Sequence, residues 1–116
     1  MYNKETCQKS MLAIKDTLYV VGGKWKLVLI VILISGKRRF RELSREAGIT
    51  PRILSKELQE MEMNGLVTRT VLNTKPITVE YELTPYSKTL KEVVEAMDKW
   101  GKQHRKKIIG NRGAGG

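Results

Sequence analysis

The chain has 116 residues and a mass of 13.3 kDa, the size of one domain. At 41% hydrophobic it can fill one core and not two, which excludes an enzyme with separate cofactor and substrate lobes. Lys and Arg number 22 against 12 Asp and Glu, a net charge of +10 with a pI near 9.9. Such a surface favours a polyanion, most often a nucleic acid.

Cys7 is the only cysteine and His104 the only histidine. Neither a disulfide framework nor a thiolate–imidazole zinc cluster can form, and no metal or other cofactor is expected. The opening Met1-Tyr2-Asn3-Lys4-Glu5 has no apolar stretch. The longest apolar run, Leu27 to Ile34, is eight residues where a membrane span needs roughly 18. A soluble, cytoplasmic protein without a membrane partner is expected.

Met11, Ile14, Leu18 and Val21 recur at three- and four-residue steps and predict a helix from about residue 4 to 20, ended by Gly22-Gly23. Lys24 to Ile34 is almost wholly apolar and reads as a buried helix, although its Val and Ile content would also suit a strand. Phe40, Leu43 and Ala47 mark a short helix stopped by Gly48. Thr50-Pro51 then supplies an N-cap and first helical residue. Ile53, Leu54, Leu58 and Met61 stripe that next helix, which ends at Asn64-Gly65. Helix, glycine turn and helix over about residues 39–64 form a helix-turn-helix pattern.

Two strands follow. Val67 and Val71 alternate with Thr68 and Thr70, with Arg69 breaking the apolar pattern; Val79, Tyr81 and Leu83 alternate with Thr78, Glu80 and Glu82. The Asn73-Thr74-Lys75-Pro76 turn makes a hairpin with a basic tip over about residues 67–84. Thr84-Pro85 starts a helix over about residues 86–108, with Leu90, Val93, Val94, Met97 and Trp100 on one face. Residues 1–109 thus form a single domain, and the Gly-rich residues 110–116 are expected to be disordered.

A helix-turn-helix followed by a β-hairpin is a winged helix: mainly α with a small hairpin. Its second helix turns Arg52, Ser55, Lys56 and Gln59 away from the apolar stripe, where they would read base edges in a major groove. Arg38, Arg39 and Arg41, with Thr50, are placed for phosphate contacts, and Lys75 for a contact from the wing. The charge excess agrees: residues 35–58 carry +4 and residues 99–116 carry +6, while the rest cancels. No phosphate-loop or nucleophile-elbow motif occurs, so no enzyme is expected. The competing reading is a winged-helix protein-interaction or effector-binding module that does not read DNA. The basic face of the second helix argues against it.

Gly22-Gly23-Lys24-Trp25-Lys26, Arg39-Phe40-Arg41-Glu42-Leu43, Ile49-Thr50-Pro51-Arg52-Ile53-Leu54-Ser55, the block from Leu58 to Arg69, Val79-Glu80-Tyr81-Glu82-Leu83-Thr84 and Trp100-Gly101 stand in order. Over roughly residues 7 to 105 the chain resembles the HxlR-type family of bacterial winged-helix regulators, which are MarR-like. The resemblance implies a homodimer on pseudo-palindromic operator DNA, most simply a repressor of nearby genes. It also implies that the N- and C-terminal helices make the dimer interface, through Met11, Ile14, Leu18, Leu90, Val94, Met97 and Trp100. Some relatives sense oxidants or electrophiles through a cysteine before the Gly-Lys-Trp block. That makes Cys7 a candidate redox sensor, although Gln8 stands where the family often has proline. The expected partners are therefore operator DNA, a second copy of the chain, and a small-molecule or electrophile effector.

Overall fold

A computed structural model describes the backbone of residues 3–115 and the side chains of residues 3–110. The first helix, α1 (Lys4–Val21), begins with a reciprocal cap: Asn3 Oδ1 accepts from the Thr6 N–H at 2.8 Å, and Thr6 Oγ1 accepts from the Asn3 N–H at 2.8 Å. It ends at Gly22, where a Cβ would collide with the Leu18 carbonyl oxygen.

The next helix, α2 (Lys26–Ile34), confirms the helical reading of the apolar run. It is not buried all round, however. Leu29, Ile30 and Leu33 enter the core, while Val28 and Val31 on the other side stay exposed. An apolar helix with a bare face is one whose neighbours cover only part of it.

Strand β1 (Arg38–Arg39) leads into α3 (Phe40–Ala47). Gly48 ends α3 at φ 69°, a left-handed turn that glycine adopts without steric cost. Ser44 Oγ closes the turn by donating to the Ile49 carbonyl at 2.7 Å. In α4 (Pro51–Met63), Thr50 Oγ1 caps the helix by accepting from the Ile53 N–H at 3.3 Å. Leu54, Leu58 and Met61 are fully buried on its inner side.

The hairpin, β2 (Val67–Leu72) and β3 (Thr78–Leu83), is antiparallel, with Val67 opposite Leu83, Arg69 opposite Tyr81 and Val71 opposite Val79. The two arginines of β1 pair with the other edge of β3, Arg38 opposite Tyr81, so the sheet has three strands in the order β1-β3-β2. A two-residue strand carries no periodicity, and sequence reading has no handle on it. Thr84 fastens the base of the hairpin: its N–H donates to the Leu66 carbonyl and its Oγ1 to the Gly65 carbonyl at 2.6 Å.

The C-terminal helix starts as a 3₁₀ turn (Ser87–Leu90), capped by Thr84 Oγ1 accepting from the Ser87 N–H at 3.1 Å, and continues as α5 (Lys91–Gly115). Helical backbone therefore runs through residues 110–115, part of the segment that composition marks as structureless. Extending an existing helix fixes one residue per hydrogen bond, which is far cheaper than nucleating one. Gly116 lies outside the described residues.

Helices α1 and α5 stand away from the body. Val21 is the only buried residue of α1, and no described side chain of α5 is buried. The radius of gyration is 17.6 Å, against about 13 Å for a compact chain of this length. Among the described residues, no single helix is long and apolar enough to cross a membrane.

Candidate nucleic-acid interface

The hairpin and α4 bound an open trough lined by Arg39, Arg41, Ser55, Gln59, Arg69 and Lys75, among others. Its origin lies in the sheet register. Val67, Arg69, Val71 and their partners Leu83, Tyr81, Val79 share one face of the hairpin. Near the base, Val67 and Leu83 press that face on the core. Towards the tip the core runs out, and the face turns into the trough wall. Arg69 occupies the changeover, which is why the alternation breaks there. That break was the sequence signal for a further basic residue in the site.

The trough's charges are weighted to one side. Arg39, Arg41, Arg69 and Lys75 are exposed and form no ion pair among the described residues. Two carboxylates also line it, Glu42 and Glu62. Glu42 Oε1 is engaged, accepting from the Arg39 N–H at 2.8 Å as the N-terminal bond of α3. The floor is a shallow apolar strip where Phe40 and Tyr81 lie with ring centroids 6.4 Å apart.

The four expected base readers stand on the outward face of α4, opposite Leu54, Leu58 and Met61. Ser55 and Gln59 reach the trough and are linked, Gln59 Nε2 donating to Ser55 Oγ at 3.2 Å. Arg52 and Lys56 stand on the same exposed face outside the trough. Thr50, at the helix start, is exposed, and its oxygen is occupied as the cap acceptor while its hydroxyl hydrogen stays available.

Arg38 is placed differently from its neighbours. Its guanidinium donates to Glu46 Oε2 at 2.9 Å, to Ser35 Oγ at 2.9 Å and to the Gly36 carbonyl at 2.9 Å. Those bonds hold the α2–β1 turn against α3 and leave little of the side chain for a ligand. Sequence proximity put Arg38 with Arg39 and Arg41, but strand alternation points successive side chains to opposite faces.

On the inner side of α4 is an ion cluster that periodicity does not reveal. Lys26 is buried at 7% exposure, and its Nζ donates to Glu57 Oε2 at 2.7 Å and also to Glu60 Oε2. Burial alone would lower the lysine's pKa; the hydrogen bonds and charges of Glu57 and Glu60 outweigh it and raise the ammonium above its ordinary value. The hydrogen bond from Lys26, and then its charge, hold the Glu60 carboxyl below the usual carboxylate range.

The expected interface residues divide in two. Met11, Ile14, Leu18, Met97 and Trp100 are at least half exposed, and Trp100 stacks on His104 with centroids 4.9 Å apart. Leu90 and Val94 instead pack against the protein's own core. Cys7 is exposed on α1. Among the described residues no group of three or more His, Cys, Asp or Glu could hold a metal ion.

A basic trough beside a helix whose polar face is bare, with the wing as its far wall, defines a winged-helix DNA-binding module. Residues 20–109 match the model of the HxlR-like helix-turn-helix family, and the chain belongs to that family of DNA-binding transcriptional regulators. It is 37% identical over 105 residues to YtcD of Bacillus subtilis (strain 168), described as an HTH-type transcriptional regulator, a match covering 90% of this chain and 83% of that protein. Among solved structures it is similar to the redox regulator HypR in its reduced form, with 40% identity, a TM-score of 0.78, and coverage of 84% of this chain and 98% of that one. HypR has also been solved in an oxidised form. A protein of Enterococcus faecalis V583 described as a MarR-family regulator gives 38% identity and a TM-score of 0.70, over 94% of each chain.

Proposed function

We propose that the protein works as a homodimer that binds a pseudo-palindromic operator and represses nearby genes. The observation that carries this reading is the trough, where four basic side chains outnumber two carboxylates and form no ion pair among the described residues, alongside the exposed polar face of α4. Arg52, Ser55, Lys56 and Gln59 would meet base edges; arginine and lysine suit guanine and glutamine suits adenine. Arg39, Arg41, Thr50, Arg69 and Lys75 would hold the phosphates on either side. Arg38 serves them indirectly by fixing the strand that Arg39 belongs to.

The exposed apolar faces of α1 and α5 support the dimer. A row such as Met11, Ile14 and Leu18, each at least half exposed, is more apolar surface than a stable monomer ordinarily leaves in water. Two-fold symmetry would then set two copies of α4 about one DNA turn apart, facing two half-sites. Repression follows where such a dimer covers a promoter.

A redox input through Cys7 is the form of regulation best supported. The cavity between α1 and the start of the C-terminal helix, lined by Asp16, Thr17, Tyr86 and Leu90, measures about 180 Å³, below the roughly 300 Å³ where small-molecule pockets begin. Cys7, in contrast, is exposed on a helix of the dimer face, and the similar HypR is a redox regulator. With one cysteine per chain, two Cys7 thiols would lose two electrons and two protons to an oxidant such as diamide and join as a disulfide between protomers. A Cys7→Ser protein should then keep its DNA binding in diamide while the wild type changes; an identical diamide response in both removes Cys7 from the account.

The operator reading is tested by fluorescence-anisotropy titration with the gene's own upstream DNA against a scrambled duplex. Preference for the upstream fragment by about a thousandfold or more is the expected result. Equal affinities would overturn sequence-specific recognition.

A further inference from the structure

Helix α4 as a whole has an electrostatic difficulty that the fold eases from behind. The helix carries two basic residues, Arg52 and Lys56, and three acidic ones, Glu57, Glu60 and Glu62, so taken alone it is net acidic, a poor surface to lay against phosphates. Glu60 is also four residues beyond Lys56, the spacing at which helical side chains pair. Yet Lys56 forms no ion pair among the described residues, and its charge is the smallest of the influences on the Glu60 carboxyl, behind the hydrogen bond and charge of Lys26. Both Glu57 and Glu60 turn instead to Lys26, which reaches them from the first turn of α2.

We infer that Lys26 is a positioning residue for DNA recognition: by holding the Glu57 and Glu60 carboxylates on the inner side of α4, it keeps Lys56 free to contact DNA. The inference rests on the reading that Lys56 contacts DNA, and it adds the device that makes this possible. Three features of the contact fit the role. The lysine is buried at 7% exposure, so its ammonium is held in place and little screened by solvent. One cation faces two carboxylates, so the cluster stays net acidic and keeps the ammonium bound to it. Finally, Glu60 is partly exposed, with 42% of its side chain accessible, whereas Glu57 has 14%. Glu60 is therefore the carboxylate able to swing outward to Lys56 once Lys26 is gone.

The same lysine also stitches α2 to α4, and a purely structural role must be told apart from this one. A double-mutant comparison does so, because only the positioning role makes the worth of Lys56 depend on Lys26. The background variant is Lys26→Met with Glu57→Gln, which removes the cation without leaving the more buried carboxylate uncompensated. Operator and scrambled-DNA affinities are measured for Lys56→Ala in the wild type and in this background, with thermal melts confirming that each variant is folded. In the wild type, Lys56→Ala should weaken operator binding by about tenfold or more. In the background it should cost about half as much, since an exposed Lys56–Glu60 pair competes with DNA by only about a factor of two. Adding Glu60→Gln to the background should restore the full cost, and Lys26→Arg alone should behave as wild type.

If Lys56→Ala costs the same in both settings, Lys26 does not act through Lys56 and the inference is overturned while operator binding stands. Should Lys56→Ala cost nothing in the wild type, Lys56 is no DNA contact, and this inference falls with it. Should the background variant fail to fold, the comparison moves to Lys26→Gln in the otherwise wild-type chain, with the same two outcomes.

Discussion

Replacing Arg69 by alanine removes one cation from the wall of each trough. The position lies on an exposed stretch of β2 without ion-pair partners among the described residues, so stability should change by no more than about 0.5 kcal/mol. DNA binding should respond strongly to salt. With Arg39, Arg41, Arg69 and Lys75 each meeting a phosphate, a dimer makes eight charged contacts. Counterion release then gives a slope of log affinity against log salt of about −7, and the variant's six contacts give about −5. Between 50 and 200 mM salt the wild type should lose about 10⁴ in affinity and the variant about 10³, so the gap between them narrows roughly twelvefold. Anisotropy titrations over that salt range, on operator and scrambled duplexes, measure both slopes. Because phosphates carry no sequence, the flattening should be alike on the two duplexes. An unchanged slope, or a loss confined to the operator, would refute the assignment of Arg69 to the backbone.

Arg52→Ala should behave in the opposite way, costing about 1–3 kcal/mol on the operator and little on scrambled DNA, with specificity relaxed at one base step; equal losses on both would remove Arg52 from the readers. Leu58→Ala empties a position that is 1% exposed beneath α4 and should lower the unfolding free energy by about 2–5 kcal/mol in urea melts; a change below about 1 kcal/mol would mean that α4 is not anchored there. The Lys26–Glu60 contact should also shape stability against pH. Glu60 titrates lower in the folded protein than its ordinary value of 4.5, so its contribution is present above that pH and lost as the pH falls through the folded value. Lys26 titrates above 10.5, so its contribution is present below that pH and lost as the pH rises through the raised value. The stability difference between wild type and Lys26→Met should accordingly persist through neutral pH and shrink at both extremes; a pH-independent difference would show that packing alone is responsible.

How far the sequence discloses this molecule depends on whether a feature is local. The caps and turns are local, and Asn64-Gly65, Thr50-Pro51 and Gly48 put the ends of α3 and α4 within a residue of where they lie. The outward face of α4 follows from period alone, because Leu54, Leu58 and Met61 leave Arg52, Ser55, Lys56 and Gln59 no other side. What escapes is settled by pairing across the chain. Arg38 reads like Arg39 until β1 pairs with β3 and alternation parts them. Arg69 reads as a defect until the register shows where the core ends. Lys26 sits 31 residues from Glu57, and nothing in its own neighbourhood announces a buried ion pair. The exposed apolar face of α5 is half legible: amphipathic spacing marks Leu90 and Val94 as apolar, but only their packing on the core separates them from exposed Met97 and Trp100.

Methylation interference on the gene's own upstream DNA is the sharpest test of the proposed operator recognition, because a methyl on guanine N7 projects into the major groove, where the proposed binding mode puts α4. Interference is expected at guanines in two half-sites centred about 10 base pairs apart, with the Arg52→Ala protein losing one position in each. Binding that is indifferent to N7 methylation, or interference confined to a single unrepeated site, would contradict recognition by a symmetric pair of α4 helices.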